Sequence, residues 1–302
     1  MAKADFDQIY TAEDPRHYYR ELGGYDYQIP AHSGAVFGQL ARAFTDAPAP
    51  RVVDLCCSYG VNATVLNHDL AFEEIIERYG DPSIEHLDRD ELLALDRTWY
   101  ASRRRDEPAR VCGLDISEAA IAYATESGLL DAGYAEDLEV DDPSPAFAEE
   151  LRQADLVTVS GGIGYITERT VDRVLGEATN PRLAVLCLRW IDFAPVVDVG
   201  AAHGLVTERL DEATFPQRRF ANDEEREHVE SELKRLGIDP GGREAEGYHH
   251  TDLYVLRPQS EVRERPLATV LDPAGAIGEL GVQLGDRDPV DVSTFTTSAG
   301  LR

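Results

Sequence analysis

Asp54, Asp115 and Asp137 are acidic residues that stand at or just past short apolar runs in the first half of the chain. Asp54 lies in Val52-Val-Asp-Leu55 and Asp115 closes Val111-Cys-Gly-Leu-Asp115, each with a helical pattern starting soon after. Asp137 sits in Tyr134-Ala-Glu-Asp-Leu138. A carboxylate at the end of a buried strand is suited to a ribose, because it can accept hydrogen bonds from both hydroxyls. A phosphate site would want the opposite charge. No GxxxxGK[ST] is present, and the turn after the first run carries neither Lys nor Arg. The pattern favours an unphosphorylated nucleoside over nucleotide hydrolysis. The plainer alternative is that Asp54 and Asp115 only cap the helices that follow, and that Asp137 is one solvated member of an acidic stretch.

The elements that must carry these residues alternate in type. Apolar runs at 51–55, 110–114, 155–159 and 183–188 read as strands, and amphipathic stretches from about 62, at 117–126 and at 167–178 read as helices. Such alternation predicts a doubly wound, mostly parallel α/β sheet of seven strands, a Rossmann-like arrangement with helices on both faces. Between Cys57 and Arg110 the chain is far longer than one helical crossover needs. Helical patterns at 72–79 and 88–100, separated by Gly80-Asp-Pro82, predict a helical insertion at about 70–108. The run Arg103-Arg-Arg105 reads as a solvated loop. Strands at 204–210 and 251–257 around a charged helix at 223–236 suit an antiparallel edge. Residues 1–50, rich in tyrosine before a helical pattern at 34–44, read as an N-terminal helical cap; 51–258 as the catalytic domain; and 259–302 as a C-terminal extension whose Gly, Asp, Pro, Ser and Thr content predicts partial disorder.

Composition excludes partners. Asp plus Glu number 57 against 29 Lys plus Arg, a net charge of −28, and Lys3 and Lys234 are the lysines. Such a surface repels nucleic acid and anionic membranes. The cysteines Cys56, Cys57, Cys112 and Cys187 all lie in apolar runs without CxxC spacing, as expected of buried thiols in a reducing compartment. No basic-then-apolar leader and no apolar run of about 20 residues is present, so the expectation is a cytoplasmic protein with a small-molecule substrate and no metal; nothing in the sequence sets its oligomeric state.

VVDLCCSYG at 52–60, VCGLDIS at 111–117 and ADLVTVSGGIGYI at 154–166, taken in this order, resemble the class I S-adenosylmethionine-dependent methyltransferase family over roughly residues 50–258. The resemblance implies S-adenosyl-L-methionine as cofactor. It implies that Asp54 orients the turn and the methionine amino end, with Ser58, Tyr59 and Gly60 in that turn. Asp115 would hold the ribose, with Ile116 beside it; Asp137 and Leu138 would flank the adenine; and Ser160 would line the floor beneath the sulfonium. Relatives usually carry glycine where Cys56 and Ser58 stand, so a slightly different turn is expected here, with the Ser58 hydroxyl still on offer to the ligand's carboxylate.

A sulfonium favours aromatic faces. Tyr59, Tyr165 and Trp190 stand just past strand ends, with Tyr25 and Tyr27 available from the N-terminal segment. Tyr165, Tyr59 and His32 are the candidate catalytic residues; Tyr25, Tyr27 and Trp190 are candidate substrate contacts; His68, His249 and His250 are further candidate bases. The leading expectation is methyl transfer to a small molecule. A second chemistry uses the same cofactor: its own amino group attacks the γ-carbon, forming azetidine-2-carboxylate and releasing methylthioadenosine. Azetidine-2-carboxylate synthases of this fold work so, and the rebuilt CCSYGVNA turn, an insertion able to seal the pocket, and Gly161-Gly-Ile-Gly-Tyr165 would suit it. A third expectation is a non-catalytic binding module left by loss of two glycines. A dinucleotide dehydrogenase ranks below these, since G-x-G-x-x-G is absent after the first strand.

Overall fold

The apolar runs pair into one sheet in the computed structural model, which describes residues 7–272. Its strands are β1 (Arg51–Leu55), β2 (Arg110–Asp115), β3 (Ala132–Ala135), β4 (Leu156–Ser160), β5 (Leu183–Leu188), β6 (Leu205–Arg209), β7 (Phe215–Arg219) and β8 (Tyr248–Pro258). The order is β3-β2-β1-β4-β5-β8-β6, with β7 sharing the free edge of β8. β1 to β5 run parallel, while β8 is antiparallel to β5, β6 and β7.

Both faces of the sheet are covered, so the central strands are apolar throughout rather than alternating. Val52, Leu156 and Leu186 pack with Val36, Phe37 and Leu40 of the helix Ile29–Phe44. Their neighbours Val53, Val157 and Val185 point the other way, towards Phe147 of the helix Pro145–Gln153 and Val171 and Val174 of the helix Glu168–Glu177. Each such buried side chain contributes about 1.5–3 kcal/mol before entropy is counted.

The topology corrects three details of the sequence reading. β7 adds an eighth strand; its sequence, Phe-Pro-Gln-Arg-Arg, is charged and holds a proline, which only an edge strand tolerates. Residues 132–135 form the edge strand β3, which no apolar run announced. His249 and His250 lie inside β8, which begins at Tyr248, ahead of the strand expected from 251. The tail expected to be partly disordered falls, beyond Asp272, outside the described residues.

The insertion forms two helices, Phe72–Gly80 and Arg89–Ala101, the second opened by a capping box between Asp88 and Glu91. Its apolar face joins Tyr18, Tyr19, Leu22, Tyr59 and Tyr123 in a third core. The ring of Tyr79 stacks on Tyr19 at 4.6 Å, and its carbonyl accepts Arg20 Nε at 2.7 Å. Arg16 donates to the carbonyls of Ile84 at 2.9 Å and Leu87 at 3.0 Å. The insertion thus clamps the N-terminal helix Arg16–Gly24 in place.

Candidate active site

The turn after β1 is held in left-handed backbone. Gly60 has φ of 76°, but Cys56 and Ser58 have φ of 55° and 50°. Each non-glycine residue in this region costs roughly 1 kcal/mol or more. The altered turn expected from the missing glycines is therefore not what forms: the chain keeps glycine-like geometry with side chains attached. Glycines elsewhere make room for them. A Cβ on Gly113 would lie 2.6 Å from Cys57 Sγ, and one on Gly162 would lie 2.9 Å from Cys56 Sγ. Burial pushes the Cys57 thiol well above its ordinary range, so it is a packing group and not a nucleophile.

Asp115 pins this turn. Its carboxylate accepts Ser58 N at 2.9 Å and Ser117 N at 3.0 Å. Burial raises its pKa, and the amides of Ser117 and Ser58 oppose the rise. Asp54 lies beneath, fully buried. One oxygen accepts Asn62 Nδ2 at 2.9 Å and Thr158 Oγ1 at 2.7 Å, while the other has no hydrogen-bond partner among the described residues. Burial lifts the Asp54 pKa to about 7 against those two bonds. Asn62 continues the network to Ser160 at 3.0 Å and accepts Ser33 Oγ at 2.6 Å.

Above these groups, where strand order reverses between β1 and β4, lies a cavity of about 620 Å³. Its two ends differ. One is lined by Asp115, Ile116, Glu136, Asp137, Leu138 and Glu139, from the loops after β2 and β3. Ile116 is 74% exposed there, an apolar surface without a cover. Glu139 is engaged by Thr167 and Thr170, and Glu136 by the amide of Ser144. The other end is lined by the rings of Tyr10, Tyr18, Tyr27 and Tyr165, with Gln217 and Arg218 from β7. Arg218 is buried and paired through both terminal nitrogens with Glu225, at 3.0 and 2.7 Å. Burial alone would raise Glu225, but hydrogen bonds from His249 and Arg218 outweigh it and hold that carboxyl far below the usual range.

Of the residues singled out from sequence, Ser58, Asp115, Ile116, Asp137, Leu138, Ser160, Tyr27, Tyr165 and His249 line this cavity. Asp54 and Gly60 shape its floor from below without lining it. Tyr59 points away; it is buried and its hydroxyl donates to Ala12 O at 2.7 Å, tying the N-terminal segment to the turn. His32 is buried against Phe215, and burial lowers its pKa to about 4. Tyr25 lies under the guanidinium of Arg218, 5.9 Å from it. Trp190 donates to His249 Nδ1 at 3.2 Å, and His249 Nε2 lies 3.4 Å from Glu225, so both ring nitrogens of His249 face protein. His68 and His250 are held neutral by burial, at about 4 and about 3. The insertion does not line the cavity; it supports the N-terminal segment, whose Tyr10, Thr11, Tyr18 and Leu22 do. Asn62, Gln217 and Arg218 escaped the sequence reading. Asn62 had a signal, as the second residue of the helix that leaves the turn; the others lie on an edge strand that no pattern announced.

No family model and no curated protein matches the chain. Among solved structures, a plantazolicin methyltransferase in complex with a triazolic desmethyl analogue and SAH is similar over 83% of this chain and 94% of its own, at 9% identity and a TM-score of 0.43. Geranyl diphosphate C-methyltransferase from Streptomyces coelicolor A3(2) is similar over 75% of this chain and 80% of its own, at 10% identity and a TM-score of 0.39. Magnesium protoporphyrin IX methyltransferase from Synechocystis PCC 6803, with bound SAH, is similar over 70% and 74%, at 13% identity and a TM-score of 0.36. At these identities the likeness concerns the fold alone.

Proposed function

We propose that the chain is an S-adenosylmethionine-dependent methyltransferase acting on a small molecule. The observation that carries the reading is the Asp115 carboxylate. It stands at the cavity rim, oriented by Ser58 N and Ser117 N, with the exposed face of Ile116 beside it. The residues present fit the cofactor: Asp115 would take the ribose hydroxyls, Ile116 and Leu138 the adenine face, and Ser58, Asn62 and Ser160 the methionine end. Bound there, the cofactor supplies a methyl group on a positively charged sulfur.

The chain's own residues orient and shield. The tyrosine rings at the far end offer electron-rich faces and exclude water. The histidines expected as bases all have their nitrogens turned to protein or lie outside the cavity. Positioning of the acceptor is then the main contribution to rate.

Calorimetric titration with S-adenosylhomocysteine tests the reading. Wild type is expected to bind it, and Asp115→Ala to weaken binding by about 100-fold, as loss of charge-assisted bonds to two hydroxyls implies. Absence of saturable binding to wild type would sink the proposal. Incubation with the cofactor alone separates the two chemistries: methylthioadenosine formed without any acceptor would replace methyl transfer by azetidine formation.

A further inference from the structure

We propose that Gln217 recognises the second substrate of this cavity, and that this substrate is an uncharged molecule with an apolar body and a hydrogen-bond donor and acceptor side by side, as in a carboxamide or lactam. The proposal rests on the cofactor reading above and adds the chemistry of the acceptor. It starts from an irregularity in β7. Pro216 pairs with His250 and Arg219 with Tyr248, so three steps along β7 match two along β8. In a regular strand neighbouring side chains point to opposite faces, and a bulge re-aims one of them. Gln217 and Arg218 accordingly both line the cavity. Backbone bonds to the N-terminal segment hold the bulge on either side: Gln28 N donates to Gln217 O at 2.7 Å, and Arg219 N donates to Tyr25 O at 2.8 Å.

The two side chains are used differently. The Arg218 guanidinium is spent on Glu225 and on the Arg219 carbonyl. The Gln217 carboxamide has no hydrogen-bond partner among the described residues. Gly161, in left-handed backbone at φ of 69°, keeps room for it: a Cβ there would lie 2.6 Å from Gln217 Nε2. Gly161 follows Ser160 at the end of β4, so the amide stands beside the floor proposed for the sulfonium. A carboxamide offers two donors and an acceptor, and such a site rejects a ligand that leaves them unpaired. A charged ligand finds no counterpart at this end. The acids that line the cavity, Asp115, Glu136, Asp137 and Glu139, all follow β2 and β3, and Glu225 already balances Arg218. Burial pushes Tyr10 and Tyr27 up, so their phenols stay neutral. The rings of Tyr10, Tyr18 and Tyr27, with Leu22 and Leu188, supply apolar walls.

The test uses the full chain saturated with S-adenosylhomocysteine, titrated at fixed ionic strength with benzamide, with acetophenone, which accepts but cannot donate, and with benzoate, which is charged. Benzamide is expected to bind at least about tenfold more tightly than either, the size of one hydrogen bond whose loss leaves a polar group unpaired. In Gln217→Met, benzamide should fall to the level of acetophenone with S-adenosylhomocysteine affinity retained. Gln217→Glu, which keeps the shape and an acceptor for the amide N–H, should preserve the lead of benzamide over acetophenone and weaken benzoate further. Equal binding of benzamide and acetophenone by loaded wild type, a preference for benzoate, or binding of none of the three overturns the proposal. So does an equal loss of all three probes in Gln217→Met, which would make Gln217 a support of β7 only. A loss of S-adenosylhomocysteine affinity in Gln217→Met with methylthioadenosine, which lacks the carboxylate, unaffected also overturns it: the amide would then serve the cofactor. If Gln217→Met does not fold, the wild-type ratios and Gln217→Glu decide. Failure of wild type to bind S-adenosylhomocysteine at all is a separate result, and it removes the cofactor reading itself.

Discussion

Asp54 and Asp96 are both fully buried, yet they are treated in opposite ways. Asp96, in the insertion, has every oxygen engaged: one accepts Arg78, and the other accepts the hydroxyls of Tyr79 and Tyr123. Asp54, under the cavity, has one oxygen without a partner among the described residues, and its turn holds two strained residues. Scaffold polar groups gain from full satisfaction, because a half-satisfied one is costly in a low-dielectric interior. Sites keep unmet groups and strain where a ligand is to be received. The contrast separates a fully satisfied scaffold from a candidate site that keeps an unmet group and a strained turn.

The largest expected effect tests the scaffold. Asp96→Ala would leave the Arg78 guanidinium and two phenols without their acceptor, at a cost of about 3–5 kcal/mol in denaturant unfolding. Cofactor affinity of the folded fraction should stay within about threefold of wild type, since Asp96 does not line the cavity. A stability loss below about 1 kcal/mol would break the comparison, because the satisfied network would then hold nothing.

The candidate site is tested by pH. Asp54 moves from 3.8 to about 7 on folding, so the native state holds its proton more tightly than the unfolded chain. Its contribution is fully present below the lower value and is lost as pH rises through about 7, with a slope of at most about 1.4 kcal/mol per pH unit. Asp54→Asn cannot titrate. Urea midpoints at pH 5 and pH 8 should therefore fall more steeply with pH for wild type than for Asp54→Asn. General repulsion in a chain of charge −28 acts on both and cancels. Equal slopes would mean that burial does not hold the Asp54 proton, and the contrast with Asp96 would fail.

This division between scaffold and candidate site was only half legible in the sequence. β1, β2, β4 and β5 are buried on both faces and so stand out as apolar runs; the insertion helices carry regular amphipathic spacing and a capping box. Strand-end placement of Asp115 and Ser160 followed from the same runs. What stayed hidden is local in neither sequence nor pattern. β3, Ala-Gly-Tyr-Ala, is short and half-buried, and β7 is a charged edge strand whose one buried arginine looks like any surface residue until Glu225 is folded against it. Tyr59 misled because position past a strand end does not fix direction: its side chain leaves the cavity to hold the N-terminal segment. The cysteines misled about geometry, since residue type predicts a backbone preference that the surrounding packing can override.

Ser58 gives the smallest effect and the sharpest one. Its φ of 50° would suit glycine, and its hydroxyl is buried without a hydrogen-bond partner among the described residues, so on packing grounds it is the wrong residue twice over. Ser58→Gly relieves roughly 1 kcal/mol or more of backbone strain, while the added freedom of glycine in the unfolded chain returns about half of that or more. A net gain of a few tenths of a kcal/mol is expected in the urea midpoint. If the hydroxyl is kept for the ligand's carboxylate, the same substitution should weaken S-adenosylhomocysteine by about tenfold and leave methylthioadenosine, which has no carboxylate, unchanged. Stability up and selective affinity down is the signature of strain retained for binding. Stability up with both affinities unchanged would place Ser58 with the scaffold, and the left-handed turn would then have to be explained by Asp115 alone, which already fixes its amide.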